Sequence, residues 1–171
     1  MLEAQGIDPQ KAAVMLAEQL PKGIFLCVGG ETENVMTTGW GGLSFYWGKN
    51  VYVAPIRPQR FTYPLLQKEM AFTLGVPATG TMKEEIVKAG TLSGRDGNKF
   101  KAIGLQTASA RAVNAPVITG PDIALTLECV VLAKNTFSVA ETDPAIVKAT
   151  YAAHDFHTLF YGEIVACYGV L

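Results

Sequence analysis

Apolar residues along this chain occur in short runs of strand length, separated by Gly, Pro and polar residues. Residues 24–28 are continuously apolar, which predicts a strand buried on both faces. Six strands are predicted in all, at residues 24–28, 34–38, 51–56, 71–76, 124–133 and 158–169. Helices are predicted only singly between these strands. We therefore expect a mainly β fold, a barrel with a few flanking helices, rather than an alternating parallel α/β sheet.

Two Asp-Pro pairs mark helix starts, because the carboxylate can cap free amides and proline suits the first helical position. Asp8 with Pro9 predicts a helix over residues 9–20, and Asp143 with Pro144 predicts one over residues 145–152. A further short helix is expected at 62–70. The Gly- and Trp-rich stretch 39–49 is expected to be a loop. Residues 77–114 are the least regular part, with helical turns at 82–89 and 99–103, and should lie mostly at the surface.

The composition indicates a single globular domain over residues 1–171, with an N-terminal helical part at 1–21 and the barrel at 22–168. Hydrophobic residues make up 49% of the chain and charged residues 17%. A formal charge of −1 and dispersed Lys and Arg argue against a nucleic-acid partner. No apolar run approaches the ~20 residues that span a bilayer, and the first residues do not resemble a signal peptide. We expect no membrane association and a cytoplasmic location.

Several common sites are missing from the sequence. The three cysteines, Cys27, Cys129 and Cys167, lie far apart in apolar stretches and are expected to be buried, reduced thiols. Neither a P-loop nor a G-x-G-x-x-G dinucleotide fingerprint is present. The hydroxyl-rich residues 79–81 before a predicted helix are a minor alternative for a phosphate site.

Four segments concentrate unusual residue types in one order. They read N-V-M-T-T-G-W at 34–40, R-P-Q-R-F-T at 57–62, S-G-R-D-G-N-K-F at 93–100, and a fourth stretch at 157–165 that closes with Y-G-E-I-V. Together they resemble the flavin reductase-like proteins of the flavoredoxin group over about residues 22–168. The resemblance implies a six-stranded antiparallel split β-barrel that forms a homodimer and holds one FMN per subunit at or near the dimer interface.

The residue types in these segments suit the two ends of FMN. A phosphate is bound by cationic side chains and by hydroxyl groups on short side chains. Arg60 and Lys99 offer the positive charge, and Thr62 and Ser93 offer the hydroxyl groups. The isoalloxazine ring needs an apolar face with a few polar groups. By similarity, the residues that line the ring are Asn34, Met36, Thr37, Thr38 and Trp40, and Phe100, at the end of the third segment, is also expected to bind the cofactor.

Each assignment has a structural alternative. Arg57 and Arg60 could be solvated charges, Thr37 and Thr38 ordinary strand residues, and Trp40 a core or dimer-contact aromatic. His154 and His157 are three apart, yet no further ligands accompany them, so a metal site is not expected. His157 could lie near the flavin. Neither Glu128 nor Glu163 is assigned a catalytic role.

Three functions remain open on the sequence alone. The first is an FMN oxidoreductase that takes hydride from NAD(P)H. The second is a flavoredoxin-type electron carrier that exchanges electrons with a redox protein. The third is a barrel without flavin that acts as a binding module. Some flavin reductases of this barrel carry a late G-D-H segment that helps to bind the nicotinamide, and this sequence has none, which weakens the first reading.

Overall fold

The computed structural model describes residues 5–169, which form ten strands and five helices. The strands are β1 (Gln5–Gly6), β2 (Ile24–Val28), β3 (Asn34–Thr38), β4 (Gly42–Tyr46), β5 (Lys49–Ile56), β6 (Ala71–Pro77), β7 (Gln106–Ser109), β8 (Pro116–Thr119), β9 (Ile123–Thr136) and β10 (Thr158–Gly169). The helices are α1 (Pro9–Gln19), α2 (Thr62–Glu69), α3 (Lys83–Thr91), α4 (Lys99–Ile103) and α5 (Pro144–Thr150). The predicted single domain also includes residues 1–4 and 170–171, which lie outside the described residues.

One large antiparallel sheet dominates the fold. Its strand order is β3-β2-β6-β9-β10-β5-β4, and β1 adds to β10, which makes eight strands. The strands β7 and β8 form a separate two-stranded sheet. The prediction of a mainly β, antiparallel split barrel with flanking helices is confirmed. The predicted number of six strands is too low for the large sheet, because the sequence patterns of β1 and β4 were not recognised.

Strand β4 lies within the stretch 39–49 that the sequence predicted as a loop. It pairs with β5 in a hairpin whose two-residue turn is Trp47 and Gly48, both with positive φ angles (54° and 73°). Two central residues with positive φ are typical of the type I′ turn, which usually carries Asn-Gly or Asp-Gly. Because the bulky Trp47 occupies this position, the sequence does not indicate a hairpin turn here. The loop prediction is therefore wrong for residues 42–46.

Two hydrophobic clusters lie on opposite faces of β2, whose five residues are all buried, as its apolar run predicted. The main cluster fills the barrel and includes Tyr52, Phe72 and Phe160, each fully buried. The second cluster lies outside the barrel, where α3 and α4 contribute Ile86 and Phe100. Residues 77–114 lie mostly at the surface, as expected, but the buried apolar side chains of these two helices cover the outer face of β2 and β3.

The predicted helix starts are confirmed. Helix α1 begins at Pro9, and a 3₁₀ turn at Leu20–Lys22 ends this helical part. Helix α5 begins at Pro144, and the carboxylate of Asp143 accepts the backbone N–H groups of Ala145 (2.8 Å) and Ile146 (3.4 Å). Satisfying these otherwise unpaired amides fixes where the chain enters α5. The segment after α5 then leads back to the barrel at β10.

Candidate functional site

A groove runs between β3, the loop that joins β5 to α2, and the segment that joins α3 to α4. It has two parts, with volumes of about 340 and 310 Å³, which share Met36, Thr37, Gln59 and Arg60. We call the first part the cationic end, which carries Lys99 and is lined by Asn34, Thr62, Ser93, Arg95 and neighbouring backbone. We call the second part the aromatic end, which is lined by Thr38, Gly39, Trp40, Pro55, Arg57 and His157.

The groove brings together the residues that the sequence proposed for a ligand, with one exception. Those that line it are Asn34, Met36, Thr37, Thr38, Trp40, Arg60, Thr62, Ser93 and Lys99. Phe100 does not line either end, because its side chain packs into the second hydrophobic cluster with Phe25 and Ile103. The first three motif segments therefore converge on one surface, although they are spread over residues 34–100 of the chain.

The floor of the cationic end is built by a close contact between β3 and the third motif segment. The side-chain amide of Asn34 donates to Thr62 Oγ1 at 2.9 Å. Gly94 lies so close that a Cβ atom there would fall 2.4 Å from both Asn34 Oδ1 and Phe61 Cδ1. No side chain fits at such a separation. The glycine thus lets the backbone of residues 93–95 approach the floor of the groove.

Lys99 is the unusual group of the cationic end. Its side chain is 5% exposed, and Nζ donates to the backbone carbonyl of Ala89 at 2.5 Å. No Asp or Glu is among the described residues that line this end. Burial, and then the nearby charge of Arg60, lower the pKa of Lys99 to about 8. A buried ammonium group with a single carbonyl partner keeps donors free for an anion.

Two arginines reach the cationic end from different loops. Arg60 Nη1 donates to the carbonyl of Gly90 at 3.3 Å, and Arg95 Nη2 donates to that of Gln59 at 3.3 Å. The Ser93 hydroxyl accepts the backbone N–H of Arg95 at 3.2 Å, which shapes the turn that starts the third motif segment. Three cationic side chains therefore surround one small cavity without an acidic neighbour among the described lining residues.

Several residues that line the groove were not among the predicted site residues, and Gln59, Gly90 and Arg95 are three of them. Arg95 and Gln59 stand inside the quoted motif segments, so their place in the motifs was the signal that could have found them. Gly90 comes from the end of α3, and no sequence pattern marked it. It lies against Thr37, since a Cβ at Gly90 would be 3.4 Å from the Thr37 Cβ atom.

The aromatic end is formed by Trp40 and His157, whose ring centroids are 4.8 Å apart. Trp40 follows β3 and is 50% exposed, while its carbonyl accepts the Thr38 hydroxyl at 3.0 Å. His157 is 8% exposed. Burial, and then the positive charge of Arg57, lower its pKa to about 4, so the imidazole is neutral at neutral pH. This end therefore offers flat, uncharged rings to a ligand.

The remaining candidates lie outside the groove. Residues 79–81 do not line it, and the Thr81 hydroxyl donates to the carbonyl of Ala78 at 2.9 Å. His154 lies in the segment after α5 and does not share a helical face with His157. Within residues 5–169, no group of three or more His, Cys, Asp or Glu side chains could hold a metal ion. None of the described helices is long and apolar enough to cross a membrane.

Glu128 is fully buried but serves a structural role. Its carboxylate accepts the backbone N–H groups of Arg111 (2.9 Å) and Ala112 (2.6 Å) and the hydroxyl of Tyr168 (2.7 Å). These donors satisfy a charge that would otherwise be costly to bury. The carboxylate holds the loop between β7 and β8 against β9, away from the groove.

Comparison with known proteins places the chain among flavin-associated domains. The family model described as "Flavin reductase like domain" matches residues 17–170. An uncharacterized protein of Archaeoglobus fulgidus is 32% identical over 153 residues, which cover 88% of this chain and 74% of that protein.

Solved structures share the fold at low sequence identity. The FMN-binding domain of a flavin reductases-like enzyme from Shewanella baltica superimposes with a TM-score of 0.71 at 15% identity, covering 98% of this chain and 77% of that one. The flavoredoxin of Desulfovibrio vulgaris superimposes with a TM-score of 0.66 at 19% identity, covering 86% and 69%. At such identities the likeness establishes the shared fold.

Proposed function

Because the chain belongs to the flavin reductase-like family, we propose that it is a flavoprotein that binds FMN in the groove and transfers electrons through it. The observation that carries this proposal is the buried Lys99, which lies with Arg60 and Arg95 in a cavity whose described lining holds no acidic residue. Such a site suits a compact anion that carries nearly two charges, and a flavin phosphate is one.

The cationic end fits the phosphate of FMN. Lys99 and Arg60 supply positive charge, while the Ser93 hydroxyl and the backbone N–H groups of residues 93 and 94 supply further hydrogen-bond donors. Because Gly94 has no side chain, this backbone lies directly over the floor of the groove. The residues would hold the phosphate and thereby fix the position of the rest of the ligand.

The aromatic end fits the ring system. Met36, which is shared by both ends and only 8% exposed, provides an apolar surface where they meet. Trp40 and His157 provide flat side chains, and the backbone of β3 and of Gly39 provides polar groups along one edge. Bound FMN would supply the hydride and electron chemistry, and the protein supplies orientation, nearby charge and exclusion of water.

The electron donor in this proposal is either NAD(P)H or a redox protein. Trp40 is half-exposed, which leaves the aromatic end open on one side for a second reactant. The absence of a G-D-H segment favours the second alternative, a carrier that exchanges electrons with a protein. The Desulfovibrio vulgaris structure with the same fold bears the name flavoredoxin.

Anaerobic mixing tests the function and separates the two donors. The protein is loaded with FMN, mixed with NADH or NADPH, and the visible absorption of the flavin is followed, with free FMN as the control. Rapid bleaching beyond the control identifies an NAD(P)H oxidoreductase. Slow bleaching by both nucleotides, with complete reduction by dithionite, identifies the carrier. A protein that retains no bound flavin after FMN has been added and the unbound FMN removed contradicts both the oxidoreductase and the carrier.

We further propose that two copies of the chain pair through the edge of the large sheet at β4. Large apolar side chains are exposed there, with exposed fractions of 69% for Phe45, 61% for Trp47 and 42% for Val165. An apolar groove of about 470 Å³ lies beside them, between β4, β10 and α1. Exposed large apolar side chains beside an apolar groove are typical of an interaction surface. Trp40 stands two residues before β4, so the pairing would place the partner on the strand that follows the aromatic end.

A reducing compartment is part of the same proposal. Cys27 and Cys129 are buried free thiols, and Cys167 is a partly exposed one. Burial raises the pKa of Cys27 to about 12, which keeps its thiol protonated and unreactive. Free thiols of this kind support a cytoplasmic location.

A further inference from the structure

The segment between α5 and β10 is held against the groove by one arginine. Arg57, at the end of β5, forms an ion pair with Asp155 and donates from Nη2 to the carbonyl of Thr150 at 3.1 Å. Its guanidinium carbon lies 5.4 Å from the ring centroid of Tyr151. The side-chain amide of Gln59 also donates to Asp155, at 2.6 Å. These contacts place Tyr151 and His157 together behind the aromatic end.

A hydrogen bond joins Tyr151 to His157. The Tyr151 hydroxyl and His157 Nδ1 are 2.8 Å apart, and both residues are buried, with exposed fractions of 2% and 8%. A phenol hydroxyl is a ready donor, and a neutral imidazole carries one bare nitrogen that accepts. The pair is therefore satisfied when Tyr151 donates to an unprotonated Nδ1, which places the imidazole proton on Nε2.

Burial is the main reason why the His157 ring stays neutral. Burial and then the positive charge of Arg57 lower its pKa, Asp155 raises it, and Arg60 lowers it further. Nδ1 is taken by Tyr151, and His157 lines the aromatic end beside Trp40. Nε2 is thus the ring nitrogen that can meet a ligand, and in this tautomer it is a neutral donor.

We propose that Tyr151 is a positioning residue that fixes His157 in the Nε2–H tautomer, so that His157 presents a neutral hydrogen-bond donor to a carbonyl or ring nitrogen of the flavin. The ligand part of this inference rests on the proposed function, whereas the tautomer is a property of the protein alone. An isoalloxazine has acceptors of this kind along its pyrimidine edge and at N5. A neutral donor can bind them without adding a charge beside the ring.

Nitrogen-15 NMR of labelled histidine tests the tautomer without any flavin. Two histidines are present, and His154→Asn assigns their signals. We expect His157 to show a bare Nδ1 and a protonated Nε2 at neutral pH, and Tyr151→Phe to populate both tautomers. Tyr63→Phe is the matched control, because it removes another tyrosine hydroxyl, 3.1 Å from Thr158 Oγ1, and should leave His157 unchanged. A wild-type His157 protonated on Nδ1 overturns the proposal.

Addition of FMN tests the ligand part. We expect the Nε2–H signal of His157 to shift on binding, and Tyr151→Phe to weaken FMN binding about twofold to tenfold and alter the absorption spectrum of the bound flavin. Tyr63→Phe should change neither. FMN that binds without moving the Nε2–H signal overturns the proposal. If FMN does not bind at all, the proposed function fails, and the ligand part of this inference fails with it.

Discussion

At the scale of single residues, the site depends on one buried amine. Lys99 loses most of its hydration in α4 and gains only the Ala89 carbonyl in return. The nearby Arg60 adds repulsion, and the pKa of Lys99 falls to about 8. A bound phosphate would compensate both the burial and the repulsion, so we expect an anion to stabilise the groove.

This shift predicts a pH dependence of FMN affinity. The FMN phosphate is fully ionised above about pH 7, so Lys99 is the group that titrates between about pH 7 and pH 9.5. The protonated amine binds the phosphate, so binding takes up a proton once free Lys99 begins to lose its own. We expect the dissociation constant to rise with pH through 8, by at most about tenfold per pH unit. Fluorescence titration over this range measures it.

Lys99→Met is the control for this dependence. The variant carries no amine, so its weaker FMN binding should be nearly flat over the same range. A wild-type affinity that does not change between these pH values would show that Lys99 does not meet the phosphate.

Two adjacent residues of one motif, both predicted to bind the cofactor, lie in different surroundings. Lys99 and Phe100 follow each other in the sequence, and both were predicted to bind the cofactor. Successive residues of a helix point about 100° apart, so their side chains can meet different surroundings. Helix α4 directs Lys99 to the groove and Phe100 to the second hydrophobic cluster. The motif alone could not separate them, because the separation depends on how α4 docks.

At the scale of elements, the barrel depends on close contacts between strands. Gly162 lies in β10 at a shift in its register with β9. A Cβ atom there would fall 2.6 Å from the Phe72 ring and 2.9 Å from the Cys129 Cβ atom. The absence of a side chain allows Phe72 to fill the barrel next to β10.

Gly162→Ala is therefore expected to destabilise the protein. Overpacking of this kind costs about 1–3 kcal/mol in the free energy of unfolding. The matched control is Gly42→Ala, at a strand glycine where a Cβ would have nothing within 4 Å. Urea unfolding of both variants measures the difference. Equal stability of the two would mean that the barrel adjusts at Gly162 without cost.

Elements were predictable from the sequence where a local pattern determined them. The apolar run of β2 and the Asp143-Pro144 start of α5 identified those elements correctly. Strand β4 was not predictable, because its hairpin turn uses Trp47 in place of the usual small residue. The cover that α3 and α4 form over β2 was also missed, because it depends on tertiary packing of short segments with weak patterns.

At the scale of the whole molecule, Trp40 connects the groove to the edge of the large sheet at β4. The groove gathers the first three sequence motifs, and β4 starts two residues after Trp40. A second copy placed on this edge would restrict access to the aromatic end. If the proposed pairing occurs, it would therefore also limit how the electron donor reaches the flavin at the aromatic end.

The proposed pairing predicts a change in oligomeric state. The double variant Phe45→Lys with Trp47→Lys places two charges in the exposed apolar patch, and we expect it to be monomeric where the wild type is dimeric. Val87→Lys is the control, since Val87 is 62% exposed on α3 and should leave the dimer intact. Sedimentation velocity distinguishes these states. A monomeric wild type, or a dimeric double variant, would contradict the proposed interface.

The central claim is that the cationic end holds the phosphate of FMN, and equilibrium titration with FMN and with riboflavin tests it most directly. The two ligands share the ring, and only FMN carries the phosphate. We predict that the wild type binds FMN more tightly than riboflavin, and that Lys99→Met loses about 1–3 kcal/mol of FMN binding while its riboflavin binding is unchanged. The exposed Lys101→Met, on the same helix, should bind both as the wild type does. Equal affinity of the wild type for FMN and riboflavin would contradict the account.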